Sequence, residues 1–206
     1  MSITSKKESD IRAAAKDLFW RHGFKRVSIE EICQKANVSK MTFYKYFPNK
    51  QELAKKIFND AIEFGEKKFR DILYSDDLPA VKIKKIMLMK LEGTNDISQE
   101  FMKDFYSGGD PELSKFVEQR SREIWGFLRN DYKKAQEIGL FRNDFNADLL
   151  IKMQFKLMEL MEDQSIVSMY GSQQDIIMEF ANLLVYGIIP REESINKINE
   201  TEVLQG

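Results

Sequence analysis

The sequence is poor in the residues on which metal sites, disulfide frameworks and nucleophile–base pairs depend. Its 206 residues include one cysteine, Cys33, and one histidine, His22. A Cys/His zinc site or a Cys–His nucleophile pair would need carboxylates or a second subunit to complete it. A nucleophile elbow, a phosphate loop and a paired-histidine motif are also missing. We therefore predict no metal, no cofactor and no catalytic residue, and hence a protein that is not an enzyme.

Long hydrophobic runs are missing as well. No stretch approaches the roughly 18 uncharged apolar residues of a membrane span. Residues 1–8, MSITSKKE, lack the apolar run of a signal peptide. The overall composition is that of a globular chain, with 43% hydrophobic and 32% charged residues. These features predict a folded cytoplasmic protein without a membrane partner.

The formal net charge of −1 conceals an uneven distribution of charged residues. Residues 1–56 hold thirteen Lys and Arg against six Asp and Glu, whereas residues 57–206 hold nineteen against twenty-seven. A basic segment joined to an acidic one is typical of a module that binds a polyanion attached to a body that does not bind one. The basic first quarter is therefore the candidate for nucleic-acid binding.

Signals for β-structure are absent, and the four prolines fall at the ends of periodic segments. Apolar residues recur at i, i+3 and i+4 in almost every segment. We predict an all-α fold of about nine helices. The first three are predicted to form one basic domain over residues 1–52, and a larger helical domain covers residues 53–190. Residues 191–206 are predicted to be a polar, flexible tail.

Capping residues predict the helix boundaries. Gly23 is a left-handed cap that ends the first helix. Ser28 and Glu31 form a capping box for the second helix, and Ser39 caps the third. A long fourth helix begins after Asn49 and runs to about residue 74. Further helices are predicted over residues 79–92, 97–107, 111–138, 146–169 and 173–189.

Residues 28–47 hold two short helices joined by a turn, which is the layout of a helix-turn-helix. The predicted exposed face of its second helix is Lys40, Met41, Thr42, Tyr44, Lys45 and Tyr46. This mixture of cations, hydroxyls and an apolar probe suits phosphate contact and base-edge reading in the major groove. For Tyr44 and Tyr46 the alternative is packing within the module. Lys50, which starts the next helix, is predicted to clamp a phosphate beside free backbone N–H groups.

This region resembles the N-terminal module of the tetracycline-repressor (TetR/AcrR) family of bacterial transcription regulators. The resemblance is carried by residues 14–19 (AAKDLF), 23–24 (GF), 27–32 (VSIEEI) and, above all, 36–53 (ANVSKMTFYKYFPNKQEL). It covers roughly residues 8–57. The rest of the chain is similar to the family in layout only, with an acidic helical body and a GLFRND turn at residues 139–144.

The resemblance implies DNA contact at six positions: Lys40, Thr42, Tyr44, Lys45, Tyr46 and Lys50. Ser28 is implied to donate to a phosphate from the preceding helix. Ser39, at the start of the recognition helix, and Met41 complete the predicted DNA-binding set. Met41 stands where the family often has a small residue, a difference that we expect to alter base preference. The expected partner is a double-stranded DNA operator with palindromic half-sites.

The acidic body is rich in methionine and aromatic residues, a combination that suits a pocket adaptable to a hydrophobic guest. For any single residue, an ordinary helical core is the alternative. We predict a small lipophilic effector as a partner. The predicted lining is Phe105, Trp125, Tyr132 and Met158.

The last two predicted helices are apolar on more than one face, so each has to be covered on more than one side. We predict that they pair with their counterparts in a homodimer as a four-helix bundle. The predicted interface residues are Leu160, Phe180 and Leu184.

The leading hypothesis is therefore a dimeric repressor that a small hydrophobic effector releases from DNA. Two alternatives stay open at this stage. One is a DNA-binding regulator without an effector. The other is an all-α enzyme or ligand carrier whose basic module is incidental, against which the absence of catalytic motifs argues.

Overall fold

A computed structural model of the chain describes residues 5–106, 108–161 and 163–190, leaving the side chains of residues 125, 155 and 157–159 outside the description. Within these ranges the chain forms ten helices and no strand. They are α1 (Lys6–His22), α2 (Ile29–Lys35), α3 (Lys40–Tyr46), α4 (Lys50–Leu73), α5 (Pro79–Gly93), α6 (Gln99–Tyr106), α7 (Pro111–Glu137), α8 (Ala147–Leu160), α9 (Gln164–Val167) and α10 (Gln173–Ile188).

The predicted caps of the basic module are confirmed. The Ser28 hydroxyl accepts from the Glu31 N–H, and the Glu31 carboxylate accepts from the Ser28 N–H at 2.7 Å, which completes the capping box. Ser39 accepts from the Thr42 N–H at the start of α3. Gly23 ends α1 with φ of 77° and donates its N–H to the Phe19 carbonyl. Local side-chain to backbone bonds therefore determine where these helices begin and end.

The single helix predicted over residues 146–169 is wrong, because the structure divides it. Helix α8 ends at Leu160, and Asp163 then caps the short α9 by accepting from the Ser165 N–H at 2.9 Å. Met161, between the two helices, is fully buried. A side chain that competes for backbone N–H groups interrupts an otherwise continuous apolar pattern. The described ranges therefore contain ten helices, where about nine were predicted for the chain.

One continuous core joins the basic module to the body. Its buried side chains come from α1 to α4 and also from α6, α7 and α10. Among them, Ile32 and Phe43 of the basic module and Phe105 and Leu113 of the body have no exposed surface. The predicted domain boundary after residue 52 falls within α4 and within this core. The side chains that hold the predicted recognition helix in place therefore belong to the same core as side chains of the body.

A second, smaller core lies at the far end of α4. It contains Leu73 of α4, Ala135 of α7, Phe141 of the following turn and Ile188 of α10. Here α4 and α10 both pack against α5, and α7 packs against α8. Helix α4 thus runs from the basic module at its N-terminus to the body's second core at its C-terminus.

Candidate DNA-binding site and effector cavity

Helices α2 and α3 are joined by a tight turn that a residue in the left-handed region makes possible. Asn37 has φ of 52°, a conformation that asparagine tolerates better than most residues. The Val38 N–H donates to the Cys33 carbonyl at 3.0 Å and closes the turn. Val38 itself packs against the core, as the helix-turn-helix prediction requires. Burial raises the pKa of the Cys33 thiol, as expected of a small core residue.

The outward face of α3 is open to solvent. Met41 is 83% exposed and Tyr44 is 54% exposed, its ring edge-on to that of Phe43. Lys45 is also exposed, and none of the residues that the structure describes pairs with it. Thr42 is half-buried, with its hydroxyl 3.0 Å from that of Ser39. The structure therefore brings Met41, Tyr44 and Lys45 together on an accessible surface.

Lys40 is also exposed, but its charge is already engaged. Its ammonium forms an ion pair with the Glu30 carboxylate of α2. Glu30 raises the pKa of Lys40, which in turn lowers that of Glu30. A phosphate that approaches Lys40 has to compete with this carboxylate. The cations on this face are therefore not equivalent.

Lys50 is placed differently from the phosphate clamp that we predicted. Its ammonium donates to the carbonyls of Phe24 and Val27, both at 2.7 Å. It also lies 4.2 Å from the centre of the Phe24 ring. Burial lowers the pKa of Lys50. In this structure Lys50 holds the α1–α2 loop, and its contact with phosphate stays a prediction.

Tyr46 and Ser28 also make internal contacts. The Ser5 hydroxyl donates to the Tyr46 hydroxyl at 2.7 Å, and the half-buried Tyr46 packs against the core. This is the packing alternative considered for Tyr46. The Ser28 hydroxyl donates to Glu31 at 2.8 Å, within the capping box. Both hydroxyls are thus engaged in contacts within the basic module.

Helix α6 of the body packs directly against the end of α1. The rings of Trp20 and Phe101 have centroids 4.5 Å apart, and Phe105 stacks on Phe101 at the same separation. The Ser98 N–H donates to the Trp20 carbonyl at 2.8 Å. Phe105, which we predicted to line the effector pocket, is instead fully buried in this contact. Its ring also lies 5.9 Å from that of Phe58 on α4.

A buried carboxylate completes the contact between α6 and the α1–α2 loop. Asp104 is 5% exposed and accepts from the Lys25 N–H at 2.9 Å. Gly23 leaves room for it, since a Cβ there would lie 2.8 Å from the Asp104 Oδ2. We call this bond the Asp104 latch. Sequence reasoning missed it, because only the fold brings these residues together.

The body contains a cavity of about 220 Å³ between α4, α5, α7, α8 and α10. Tyr132, one of the residues predicted to bind the effector, lines this cavity and accepts from the Gln154 side chain at 2.7 Å. The side chains of Trp125 and Met158 lie outside the described part of the chain. Sequence reasoning also missed Lys90 and Glu66, two charged residues that line this cavity.

The outer surfaces of α8 and α10 expose apolar side chains. Leu160, predicted at the dimer interface, is exposed, and the most exposed large apolar residues of α10 are Leu183, at 63%, and Tyr186, at 73%. Phe180 and Leu184, which we predicted at the dimer interface, are only half-exposed and pack against the two cores. The sequence shows that Leu183 and Tyr186 are three residues apart and so share one face of α10. It does not show which face of that helix is turned towards solvent.

Membrane-spanning helices and metal-binding clusters are both absent from the described residues. No helix among them has the length and apolar character needed to cross a membrane. The same ranges hold no group of three or more His, Cys, Asp or Glu side chains arranged to bind a metal ion.

A short helix followed by a tight turn and a second helix with an exposed polar face defines a helix-turn-helix, a DNA-binding element. Residues 11–57 match the family of bacterial regulatory proteins known as the tetR family. The basic module is a DNA-binding domain of this family, and the chain is a DNA-binding transcription regulator. The resemblance noted in the sequence is thereby confirmed.

Relatives extend the likeness beyond the basic module. The HTH-type transcriptional regulator YdgC of Bacillus subtilis is 22% identical over 192 residues, which cover 90% of this chain and 93% of YdgC. The fatty acid degradation regulator FadR from Bacillus halodurans has the same fold, with a TM-score of 0.66 and 18% identity over 91% of this chain and 99% of that one. A Saccharomonospora viridis protein in complex with choline matches with a TM-score of 0.65 and 17% identity, over 91% of this chain and all of that one.

The structure predicts different effects for two lysines near DNA. Lys50→Ala should lower the free energy of unfolding by about 1–3 kcal/mol, because the Phe24 and Val27 carbonyls lose a charged donor. Lys45→Ala should leave stability unchanged and alter which DNA sequence is preferred. Urea denaturation and binding to duplexes with randomised sites would measure both effects.

Lys56→Ala is a suitable control, since Lys56 is an exposed lysine of α4 whose only described partner is Asp60 in the adjacent turn. If Lys50→Ala leaves stability unchanged but weakens binding to every duplex and lowers the salt slope by about one, then Lys50 is a phosphate clamp only. Uniform weakening by Lys45→Ala, with no change of preference, would contradict its role in base reading.

Proposed function

We propose that the protein is a homodimeric repressor that acts on DNA in the cytoplasm and leaves a palindromic operator when a small hydrophobic effector binds its body. The observation that carries this proposal is the buried contact of α6 with the base of the helix-turn-helix. Because Phe101, Phe105 and Asp104 touch α1 and its following loop, a displacement of α6 moves the module that carries α3.

Dimerisation is supported by the apolar outer surface of α8 and α10. Leu149, Met153 and Leu183 are exposed and lie near one another along a groove. Exposed apolar patches of this kind are typical of protein–protein interfaces. Pairing α8 and α10 with their counterparts about a two-fold axis would bury them in a four-helix bundle.

The switch would be geometric. Two recognition helices bind successive major grooves only if they are held about 34–36 Å apart. An effector that favours a different spacing prevents both α3 helices from docking at once. It can shift this equilibrium only by its difference in affinity for the two states.

The cavity provides a place for the effector, and the solved relatives support the idea. FadR of Bacillus halodurans is described as a regulator of fatty acid degradation, and the Saccharomonospora viridis protein was solved with choline. The cavity of this chain lies between the long helix α4 and the interface helices α8 and α10. A molecule bound there would contact α4, which leads to the basic module, and also α8 and α10, which form the proposed dimer interface.

Selection from a pool of random DNA duplexes tests the function directly. We expect enrichment of an inverted repeat, bound by a dimer with an affinity that falls steeply with salt. A ligand carrier whose basic module is incidental would enrich no sequence. A regulator without an effector would bind the repeat but show no response to any hydrophobic compound.

The dimer prediction uses Leu183, the most exposed leucine of α10. Leu183→Glu should give a folded monomer that no longer holds an inverted repeat, because the charge has no partner in an apolar interface. Leu88→Glu is the matched control, an exposed leucine of α5 that does not line the apolar groove of α8 and α10. Light scattering and operator binding measure the outcome, and an unmodified protein that is monomeric at micromolar concentration would refute it.

The coupling prediction concerns the Asp104 latch. Asp104→Asn should weaken the bond to the Lys25 N–H and reduce the change in operator affinity that an effector causes, a coupling that is typically about 1–3 kcal/mol. Asp96→Asn is the control, because Asp96 also faces α1 but through an exposed ion pair with Arg21. Operator affinity should be titrated with and without effector. Equal coupling in both variants and in the unmodified protein would show that the latch is not part of the switch.

A further inference from the structure

The polar groups that line the cavity are unevenly satisfied. The buried Asp131 is neutralised by Arg70, whose Nε lies 3.1 Å from Asp131 Oδ2 and 3.3 Å from Oδ1. The Tyr132 oxygen accepts from Gln154, and its own hydrogen is free to donate. Burial raises the pKa of Tyr132, which keeps that hydrogen in place at neutral pH.

Lys90 also lines this cavity, and its ammonium has no described counter-charge. No described side chain or carbonyl accepts a hydrogen bond from its ammonium. Burial lowers the pKa of Lys90 below its ordinary value of 10.5. Lys90 is half-buried, and a partly desolvated charge without a described partner favours an anionic guest.

The rest of the lining is mainly apolar. Phe69 of α4, Ile86 and Met89 of α5, Phe127 of α7 and Leu184 of α10 form its walls. A site with an apolar wall and a few converging donors suits an amphipathic molecule, whose polar end determines its orientation.

A larger open groove of about 590 Å³ between α1, α4 and α5 makes a useful contrast. There the Arg12 guanidinium is 2.7 Å from Asp60, and the Lys68 ammonium is 2.6 Å from Glu92. Carboxylates of the protein itself thus neutralise these two cations. In the body cavity, no carboxylate of the described residues forms an ion pair with Lys90.

We propose that Lys90 recognises the acidic head group of the effector, which is an amphipathic carboxylate with a hydrocarbon chain that lies against the apolar wall. This inference rests on the proposed function, in which the cavity binds the effector. The Lys90 ammonium and the Tyr132 hydroxyl are both donors, and a carboxylate accepts from both.

Glu66 defines the competing possibility, an effector that carries an amine. Its Oε1 is buried and has no hydrogen-bond partner in the described part of the chain. We favour the acid because two donors line the cavity, whereas the other carboxylate, Asp131, is already held by Arg70. On this basis Glu66→Gln should strengthen binding of a carboxylate, since it removes a like charge.

Calorimetric titration with decanoate, decan-1-ol and decylamine, all below their critical micelle concentrations, tests the proposal. The unmodified protein should bind decanoate about tenfold or more tightly than decan-1-ol, and Lys90→Met should abolish that difference. Lys84→Met is the control, because Lys84 is an exposed lysine of the same helix. It should leave the difference intact.

A thermal melt separates lost recognition from lost folding. Without ligand, Lys90→Met should melt at a higher temperature than the unmodified protein, because it removes a desolvated charge. The gain should be greatest below the lowered pKa of Lys90 in the folded protein and shrink as the pH rises from there towards 10.5, where the unfolded chain also releases this proton.

Three results overturn the proposal: tighter binding of decylamine than of decanoate, equal binding of decanoate and decan-1-ol, or binding of none of the three probes. Operator affinity is measured separately in the same samples. If decanoate binds with the expected preference but leaves operator affinity unchanged, the assignment of Lys90 to the head group is supported. The proposal that an effector releases the repressor from its operator is then wrong. If decan-1-ol releases the operator as well as decanoate does, the repressor stands and the assignment to Lys90 fails.

Discussion

The loop between α1 and α2 is held from two sides by groups of opposite charge. From α4, the Lys50 ammonium donates to the carbonyls of Phe24 and Val27; from α6, the Asp104 carboxylate accepts from the Lys25 N–H. A cation on carbonyls and an anion on an N–H satisfy the loop's backbone where secondary structure does not. This loop leads into α2, so its position determines where the recognition helix lies relative to the body.

The aromatic contact beneath the loop packs the basic module directly against the helical body. Trp20 of α1, Phe58 of α4 and Phe105 of α6 belong to one core. Close-packed interiors shift between discrete arrangements and do not deform freely. If the proposed effector acts through the body, it therefore has to tilt α1 and α4 as packed units. Under the proposed mechanism, a small rotation at this contact is sufficient, because it displaces a recognition helix that lies away from the axis of rotation by more than it displaces the contact itself.

The DNA-binding face combines open and occupied groups. Met41, Tyr44 and Lys45 are accessible, whereas Lys40 is paired with Glu30. An exposed ion pair contributes little to stability, so a phosphate can replace its carboxylate at small cost. The free groups suit base reading and the paired cation suits backbone contact, which is how affinity and specificity are usually divided in DNA recognition.

The sequence by itself determined the features that depend on neighbours within a helical turn. The caps at Ser28 and Ser39, the turn before α3 and the exposed face around Lys45 could all be predicted, because each depends on residues three or four positions apart. Only the tertiary structure decided the partners of Lys50, the burial of Phe105 and the isolation of Lys90 within a cavity. These depend on the rotation of each helix and on residues far away in the chain, and apolar periodicity does not encode either when a helix is apolar on several faces. For the same reason Leu183 and Tyr186, and not Phe180 and Leu184, are the residues that α10 presents most fully to solvent.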